Sequence, residues 1–548
     1  MPKIQVHSSR IQYTDSYIEA VYGYQNTEVR IHGDIFHVHP RTTKFTFRTN
    51  LQVPKVGIML VGWGTETGTT VTATVLANKL GLINKDQGSQ REHVNYVGSI
   101  TQSTTVMLGL TNDGNEVNVP LKDLLPMVNP NDIIIDGWDL CSLNLSESLE
   151  RVETINNDLK HQLHHEMKQM KPRKSILNRD FLPSKENIIV DNIIPGTREE
   201  QMAQIRKDIN DFKTQKLLDK IIVVWIANEE KNNDVIDGVN DTADNLLKSI
   251  EKNTCAIAPS TLFAVASILE GCSFINGTSQ NTFVPGCIEL AERHKVFIVG
   301  DRIQSLQTLT ESSMLDFLTS AGIRVNSVVQ QNKVEKSTIF STTNVQCGAN
   351  DHYKGNLEMN TTMGSGTGPE ECSCSKDGNV QIPEVFSRAE YHLELGIEGL
   401  NTIVVYNTCK DFLLASPILL DLIILTELCQ RIIFRVGDSL KFQSFNSVLS
   451  VLGYLCKVPL MTRKAPVINT LYRQRKCIEN ILRACLGLAP ENNMSLESKL
   501  SDSTDWNESQ DIMRSRAQSK IVTMDDIRAV VGSVHNLPSG EVLAGSLH

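Results

Sequence analysis

The sequence predicts an α/β fold with a doubly wound parallel sheet. Short, continuous apolar runs recur along the chain with helical patterns between them, at Val56–Val61, Asp132–Ile135, Lys220–Trp225 and Val296–Val299. Such runs are typical of parallel strands that are buried on both faces. A glycine-rich turn follows the first run, and a helical pattern, Val71–Lys79, follows the turn. Strand, turn and helix in this order indicate the repeating unit of a parallel sheet.

The first strand-to-helix turn is the strongest local signal of a ligand. It reads Gly62-Trp63-Gly64-Thr65-Glu66-Thr67-Gly68. Glycines at such a turn let backbone N–H groups approach a pyrophosphate, and the helix N-terminus adds its positive dipole end, as in Rossmann domains. A tight turn without a ligand is the alternative. Glu66 opposes binding, because two like charges a few ångströms apart cost roughly 1 kcal/mol even in water, unless its side chain points to solvent.

Composition and charge limit the function classes. The chain has 548 residues, which predicts two to four domains, and 40% apolar with 21% charged residues is typical of a soluble globular protein. A net charge of -10 argues against a general nucleic-acid binder but permits a small anionic substrate. The N-terminus has no apolar signal segment, so we expect a cytoplasmic protein with reduced cysteines. The run Phe412–Leu428 contains Pro417, Asp421 and Glu427 and predicts a buried helix rather than a membrane span.

A cluster of histidines, His161, His164 and His165, lies in a long polar stretch at residues 143–170 that predicts a helix. A metal site is one interpretation, but no matching cysteine or carboxylate set accompanies the histidines. The sequence therefore favours a solvated helix face. The pair Cys372 and Cys374 is too closely spaced and too isolated for a zinc site, so no metal site is predicted.

Several long blocks resemble the inositol-3-phosphate synthase family, in that family's order. They cover roughly residues 10–490 and include Val56–Lys79, Gly98–Gln102, Leu124–Asp139, Gly238–Leu247, Ile257–Gly286 and Tyr406–Pro417. The resemblance implies conversion of D-glucose 6-phosphate to 1D-myo-inositol 3-phosphate, for inositol and phospholipid synthesis. In that reaction tightly held NAD oxidises carbon 5, the ketone enolises, an aldol step closes the ring, and carbon 5 is reduced again. It also implies a homotetramer, with no nucleic-acid or membrane partner.

With the resemblance, the chain divides into five predicted parts. Residues 1–54 are a β-rich segment, and residues 55–289 are the NAD-binding Rossmann domain. Residues 290–420 are an α+β domain for catalysis and oligomerisation, with a flexible insert at 345–385. Residues 421–490 are helices that return to the Rossmann domain, and residues 491–548 form a disordered tail.

The resemblance assigns cofactor contacts position by position. The family's loop is G-x-G-G-N-N-G, and this chain keeps its outer glycines but has Thr-Glu-Thr in place of the inner Gly-Asn-Asn. The predicted cofactor-binding residues are Gly62, Gly64, Thr65, Glu66, Thr67, Asp139, Ser175, Ile176, Ala227, Asn228, Gly277, Asp301, Ser305 and Asp411. Asp139 and Asp411 have a purely structural alternative as helix or turn caps.

The catalytic positions depart from the family most. Lysines suit enolate and aldol chemistry because an ammonium is a compact, movable charge. We predict Lys336, Lys333 and Arg473 as the remaining catalytic cations, with Lys333 and Lys336 on one helix face. Arg302, Gln304, Leu306 and Leu309 replace the family's Asp, Lys, Gly and Lys. A lysine of the family's K-P-x-G-D-S-K segment has no counterpart in Ile382–Arg388, and a loop of about twenty residues is missing between Val329 and Lys333.

Three functions stay open at this point. The chain is an enzyme of reduced activity, or a pseudoenzyme that regulates an active relative through mixed oligomers, or an NAD-linked enzyme for another sugar phosphate. The kept core together with the altered site favours the second function, whereas the analogy of fold alone favours the first and is the weaker argument. Lys336 could also be an ordinary solvated surface lysine without a catalytic role.

Overall fold

The fold is that of a computed structural model, which describes residues 4–84, 92–111, 115–152, 155–182, 190–227, 230–334, 337–344, 360–362, 386–397, 399–407, 411–461, 470–491 and 494. In chain order the strands are β1 Ile11–Tyr13, β2 Tyr17–His32, β3 Ile35–Asn50, β4 Val56–Val61, β5 Ile83–Asn84, β6 Glu92–His93, β7 Thr105–Leu110, β8 Glu116–Pro120, β9 Ile134–Asp139, β10 Arg173–Lys174, β11 Lys220–Trp225, β12 Ser273–Asn276, β13 Ile298–Val299, β14 Arg324–Val334, β15 Ser337–Asn344, β16 Asn360–Thr362, β17 Phe386–Leu395, β18 Gly399–Asn407 and β19 Ile432–Val436.

The α-helices are α1 Glu66–Lys79, α2 Ile100–Ser103, α3 Leu145–Glu150, α4 Asn157–Lys168, α5 Arg198–Lys216, α6 Ala243–Glu251, α7 Pro259–Leu269, α8 Pro285–His294, α9 Leu306–Ser320, α10 Asp411–Arg431 and α11 Leu471–Cys485. Helix α1 begins at Glu66, five residues before the predicted start, because Thr65 caps its first turn. The predicted long helix at 143–170 is two helices, α3 and α4, and each begins at an asparagine cap.

The central sheet is fully parallel, with the strand order β10-β9-β4-β11-β12-β13. Its strands β4, β11 and β12 are buried along nearly their whole length, which is why the sequence shows continuous apolar runs there. Side chains of these strands form the main core with helices α5 to α8. The predicted doubly wound α/β fold is confirmed.

Helix α10 closes the core beside α1. Residues Ala415–Cys429 are buried, as the apolar run at 412–428 predicts, and no helix among the described residues is long and apolar enough to cross a membrane. The carboxylate of Asp421 lies inside this packing. It accepts hydrogen bonds from the backbone N–H groups of Ile100 and Thr101 and from the hydroxyls of Ser99 and Thr101, at 2.6 to 3.0 Å.

The N-terminal strands form an antiparallel sheet of order β1-β2-β3-β19. Its last strand comes from residues 432–436, so the prediction that residues 421–490 are purely helical is wrong there. Phe434 packs on Phe45 and Phe47 across the β3–β19 pair with tilted rings, and such cross-strand aromatic contacts stabilise a strand.

A second antiparallel sheet has the order β16-β15-β14-β17-β18 and packs on helix α9 through Leu318, Val325 and Tyr391. The prediction that Lys333 and Lys336 share a helix face is wrong. Lys333 lies in strand β14, where it pairs with Thr338, and β14 and β15 form a hairpin. The stretch Arg324–Val334 contains four valines among polar residues, and β-branched side chains favour a strand there. Lys336 lies outside the described residues.

The remaining expectations fall mostly on residues that are not described. The predicted insert at 345–385 is described only at β16, and the predicted tail at 491–548 only at Glu491 and Met494. Strands β7 and β8 form a separate two-stranded sheet. His161 and His165 are exposed on α4, as a solvated face requires, while His164 Nδ1 lies 2.6 Å from the Ser146 hydroxyl. The cysteines in the described residues are free thiols, and Cys287, Cys429 and Cys456 are buried.

Candidate nucleotide site

The turn between β4 and α1 has the backbone geometry of a phosphate-binding loop. Gly62 has φ +93°, and a Cβ there would lie 2.6 Å from the Cα of Ala227. A Cβ at Gly68 would lie 2.5 Å from the carbonyl oxygen of Gly62. Both positions therefore require glycine, since any side chain would clash with backbone. The close approach brings the end of β11 directly against the turn.

Hydrogen bonds inside the turn already satisfy several of its N–H groups. The Thr65 hydroxyl donates to the Gly62 carbonyl at 2.7 Å and accepts from Gly68 N–H at 3.3 Å. Gly64 N–H donates to Asp139 Oδ2 at 2.8 Å. Glu66 is the first residue of α1, where a carboxylate interacts favourably with the helix dipole. An anion at this turn would have to displace the Thr65 hydroxyl to reach Gly68 N–H.

Asp139 ends strand β9 and anchors the turn from the neighbouring strand. Its Oδ1 accepts a hydrogen bond from Cys141 N–H at 2.9 Å, while Oδ2 accepts from Gly64 N–H. The side chain is 7% exposed, and burial raises the pKa of Asp139 while these N–H groups lower it. An acid at this strand end is positioned as the ribose-binding acid of a dinucleotide fold is.

A pocket opens at the carboxyl ends of β9, β10 and β11, beside the turn. It brings together six of the predicted cofactor residues, namely Gly62, Thr65, Asp139, Ser175, Ile176 and Ala227. Its remaining lining residues were not predicted: Leu140, Leu177, Asn178, Phe181, Leu182, Trp225, Glu230 and Pro259. Trp225 ends the predicted strand β11, so its position at a carboxyl end was the signal that could have indicated it.

The pocket combines apolar walls with few polar groups, which is typical of a nucleotide or small-molecule site. The glycine cradle and the acid at the end of β9 also fit a dinucleotide. Gly64 lies in the turn and Glu66 and Thr67 in the first turn of α1, and none of the three lines the pocket. Asn228 lies outside the described residues, and of Asp411 the structure describes only its place at the start of α10.

A second predicted group lies at the ends of β12 and β13. Gly277 N–H donates to the Trp225 carbonyl at 2.8 Å, and Asn276 Nδ2 donates to Asp301 Oδ1 at 2.7 Å. Burial raises the pKa of Asp301 to about 7. Ser305 caps α9 together with Thr308. This group is adjacent to the pocket along the sheet, but none of its members lines the pocket.

Two positions near Asp301, Arg302 and Gln304, differ from the family's residues, and Gln304 is buried in the protein. Gln304 is 6% exposed, and its amide donates to the Cys456 carbonyl at 3.1 Å and accepts from the Thr308 hydroxyl at 2.6 Å. Its amide is thus a neutral structural link where the family has a lysine. Arg302 is exposed and has φ +54°, a conformation that is uncommon for a residue of its type.

The predicted catalytic cations are not seen to converge. Arg473 is exposed in the first turn of α11, near Asp316, whose carboxylate accepts from Leu471 N–H at 2.8 Å. Arg473 does not line the pocket. Lys333 is placed by its backbone in β14 only. The described residues thus assemble the nucleotide half of the predicted site more completely than the catalytic half.

Comparison with known proteins gives a consistent result. The sequence model of an NAD-binding family described as myo-inositol-1-phosphate synthase matches residues 56–483. Inositol-3-phosphate synthase 1-B of Xenopus laevis is 49% identical over 509 residues, with 90% of this chain and 89% of that protein covered. Human inositol-3-phosphate synthase 1 is 46% identical over 512 residues, with 90% of each covered.

A solved structure gives the same result for the fold. The crystal structure of inositol-3-phosphate synthase from Caenorhabditis elegans has a TM-score of 0.81 and 34% sequence identity, with 92% of this chain and 99% of that chain covered.

Proposed function

This chain belongs to the myo-inositol-1-phosphate synthase family, and from that premise we propose that it converts D-glucose 6-phosphate to 1D-myo-inositol 3-phosphate with NAD. The observation that carries the proposal is the pocket beside the glycine turn, which joins Asp139, Ser175, Ile176 and Ala227 at one edge of the parallel sheet. Ligands of such sheets bind at the carboxyl ends of the strands. When bound, NAD supplies the hydride acceptor and donor.

In this proposal the chain's own residues bind and orient. Asp139 holds the ribose hydroxyls, and Gly62 and Gly68 let the diphosphate approach the backbone. Lys333, Lys336 and Arg473 supply positive charge to the sugar oxygens on which negative charge develops. The proposal extends to a cytoplasmic homotetramer.

The expected rate is low, because positive charge has been lost where the enolate and aldol steps need it. Gln304 replaces one lysine with a neutral, buried amide, and Leu309 replaces another with an apolar side chain. Removing one preorganised donor from such a site typically lowers the rate by roughly a hundred- to a thousandfold. Arg473 keeps a charge but cannot give up a proton as a lysine can.

The test is formation of inositol phosphate from D-glucose 6-phosphate at saturating NAD, measured beside the human relative. We expect the turnover of this chain to be at least a hundredfold lower than that of the relative. Arg473→Ala should lower it further, and Arg473→Lys should raise it part of the way towards that of the relative. A rate within tenfold of the relative would show that other groups supply the charge. If NAD binds but neither the wild type nor the two Arg473 variants form product, the enzyme function is excluded.

A regulatory function is the second candidate, and the burial of Gln304 favours it. A site whose lysine has become a structural amide is maintained for folding rather than for catalysis. In this case the chain would assemble with an active relative and change its activity. Coexpression with the human relative and separation of mixed oligomers tests this, and recovery of separate homo-oligomers only would contradict it.

A further inference from the structure

Helix α11 begins without a cap from its own sequence. Thr470, at the N-cap position, makes no capping hydrogen bond with its side chain, and its buried Oγ1 has no hydrogen-bond partner among the described residues. Helices α1, α5 and α9 are instead capped by the hydroxyls of Thr65, Thr197 and Ser305. The first N–H groups of a helix have no partner inside it, so those of α11 need an acceptor from elsewhere.

An aspartate of another helix supplies this acceptor. Asp316 lies on α9, 155 positions before Leu471, and its Oδ2 accepts a hydrogen bond from Leu471 N–H at 2.8 Å. The N–H group of Tyr472 bonds to the same carboxyl group. A negative charge at this end of α11 also interacts favourably with the helix dipole. The side chain of Asp316 therefore fixes where α11 begins relative to α9.

The next residue in this first turn of α11 is Arg473, which is exposed. Within the described part of the chain its guanidinium forms no ion pair, whereas Arg475 and Lys476 are paired with Glu479 at 2.9 and 2.7 Å. Burial raises the pKa of Asp316, while the two N–H groups and the charge of Arg473 lower it, so the charges of Asp316 and Arg473 interact. The charge of Arg473 thus lies at a helix start that Asp316 holds in place.

Helix α9 connects this contact to the second sheet, because Leu318, which follows Asp316 closely, is buried in the core between α9 and that sheet. We propose that Asp316 is a positioning residue for Arg473: by capping α11 from α9, it sets the place from which Arg473 presents its charge to the sugar phosphate. This inference rests on the proposed function in so far as Arg473 serves there as a cation.

The test is a double-mutant cycle on the full chain with NAD, in which kcat/KM for D-glucose 6-phosphate is measured. Asp316→Ala and Arg473→Ala should each lower kcat/KM by about tenfold to a hundredfold, because a small displacement of a group that acts on the substrate has effects of this size. The double variant should be no slower than Arg473→Ala alone, since Asp316 acts only through Arg473. Asp316→Asn, whose amide oxygen can still accept from the N–H groups, should keep most of the rate. Ser313→Ala, at an exposed position of the same helix, is the control and should equal the wild type.

Losses that multiply in the double variant would show that Asp316 stabilises the protein independently of Arg473. They would overturn the inference while leaving the proposed function intact, and so would an unchanged kcat/KM in Asp316→Ala. If Asp316→Ala does not fold, Asp316→Ser, which also lacks the carboxylate but keeps a polar side chain, takes its place in the cycle. If the wild type forms no product, the same cycle is measured as the calorimetric affinity for D-glucose 6-phosphate. No binding at millimolar concentration would contradict both the inference and the proposed function.

Discussion

The hydroxyl of Thr65 is bonded to Gly68 N–H, a backbone group of the kind that binds the diphosphate in dinucleotide folds. It accepts from Gly68 N–H and holds the Gly62 carbonyl, so the turn is stable without a ligand. Replacing residues 65–67 with Gly-Asn-Asn should tighten NAD binding by about tenfold or more, because that replacement frees the N–H group and removes the charge of Glu66. Calorimetric titration measures this, and Thr65→Ser, which keeps the hydroxyl, should leave the affinity unchanged. Sub-micromolar binding by the wild type would contradict the argument.

The buried carboxyl of Asp301 should make the stability of the fold depend on pH. Burial raises its pKa from 3.8 to about 7. Between these two pH values the carboxyl is therefore protonated in the folded state and ionised in the unfolded state. Its contribution to stability is fully present below pH 3.8 and is lost as the pH rises through 7. We expect the temperature of the unfolding midpoint to decrease as the pH is raised from 5 to 8. In Asp301→Asn this decrease should be smaller than in the wild type, by about 1 to 3 °C.

Asp244 is the matched control for this pH experiment. It is an exposed carboxylate paired with Arg293, and that pairing lowers its pKa. The stabilisation it gives is therefore present above pH 4 and does not change between pH 5 and 8. An identical pH slope in Asp301→Asn and the wild type would show that Asp301 is ionised in the folded state.

At the scale of elements, Asp421 connects helix α10 to the short helix α2. Four hydrogen bonds end on its buried carboxylate, and two of them satisfy backbone N–H groups of the α2 turn. Asp421→Ala should leave these donors unpaired and lower the free energy of unfolding by on the order of 3 kcal/mol. Asp421→Asn should cost less, and Asp438→Ala, at an exposed position, should cost almost nothing. Equal midpoints of thermal unfolding for all three variants would contradict this role.

The sequence predicted the elements unequally, for physical reasons. Continuous apolar runs such as Val56–Val61 predicted the central strands correctly, because burial on both faces leaves a strong pattern. The hairpin around Lys333 was missed, because the lysine spacing was interpreted as helical although the stretch is rich in β-branched residues. No pattern in the sequence could show that Gln304 bonds to the Cys456 carbonyl, since the two residues are 152 positions apart. The buried Nε1–H of Trp225, which has no hydrogen-bond partner among the described residues, likewise depends on tertiary packing.

At the scale of the whole molecule, the surface bears on the proposed tetramer. The apolar side chains of α10 leave little surface for such a contact, because Leu419, Leu420 and Leu422 are buried within the chain itself. Exposed apolar side chains lie instead along one face of β18, at Leu400, Val404 and Tyr406, which recur at even spacing. Such a stripe favours contact with another protein surface.

Sedimentation of the purified chain tests the assembly. We expect a species of about four times the chain mass of 61.0 kDa, and a smaller species when Val404 and Tyr406 are both changed to glutamate. Asn401→Glu adds charge to the same strand without removing an apolar group and should leave the mass unchanged. A monomeric wild type would contradict the tetramer, and an intact tetramer in the double variant would place the interface elsewhere.

The N-terminal sheet has a consequence for synthesis of the chain. Strand β3 ends at residue 50, but the strand that covers its edge, β19, begins at residue 432. During translation the ribosome adds about 5 to 20 residues per second, so this edge stays uncovered for roughly 20 seconds or longer. An open edge that carries Phe45 and Phe47 can pair with other nascent chains. We therefore expect truncated products that end before residue 432 to aggregate or to be retained by chaperones, and the yield of native protein to depend on chaperone supply during synthesis.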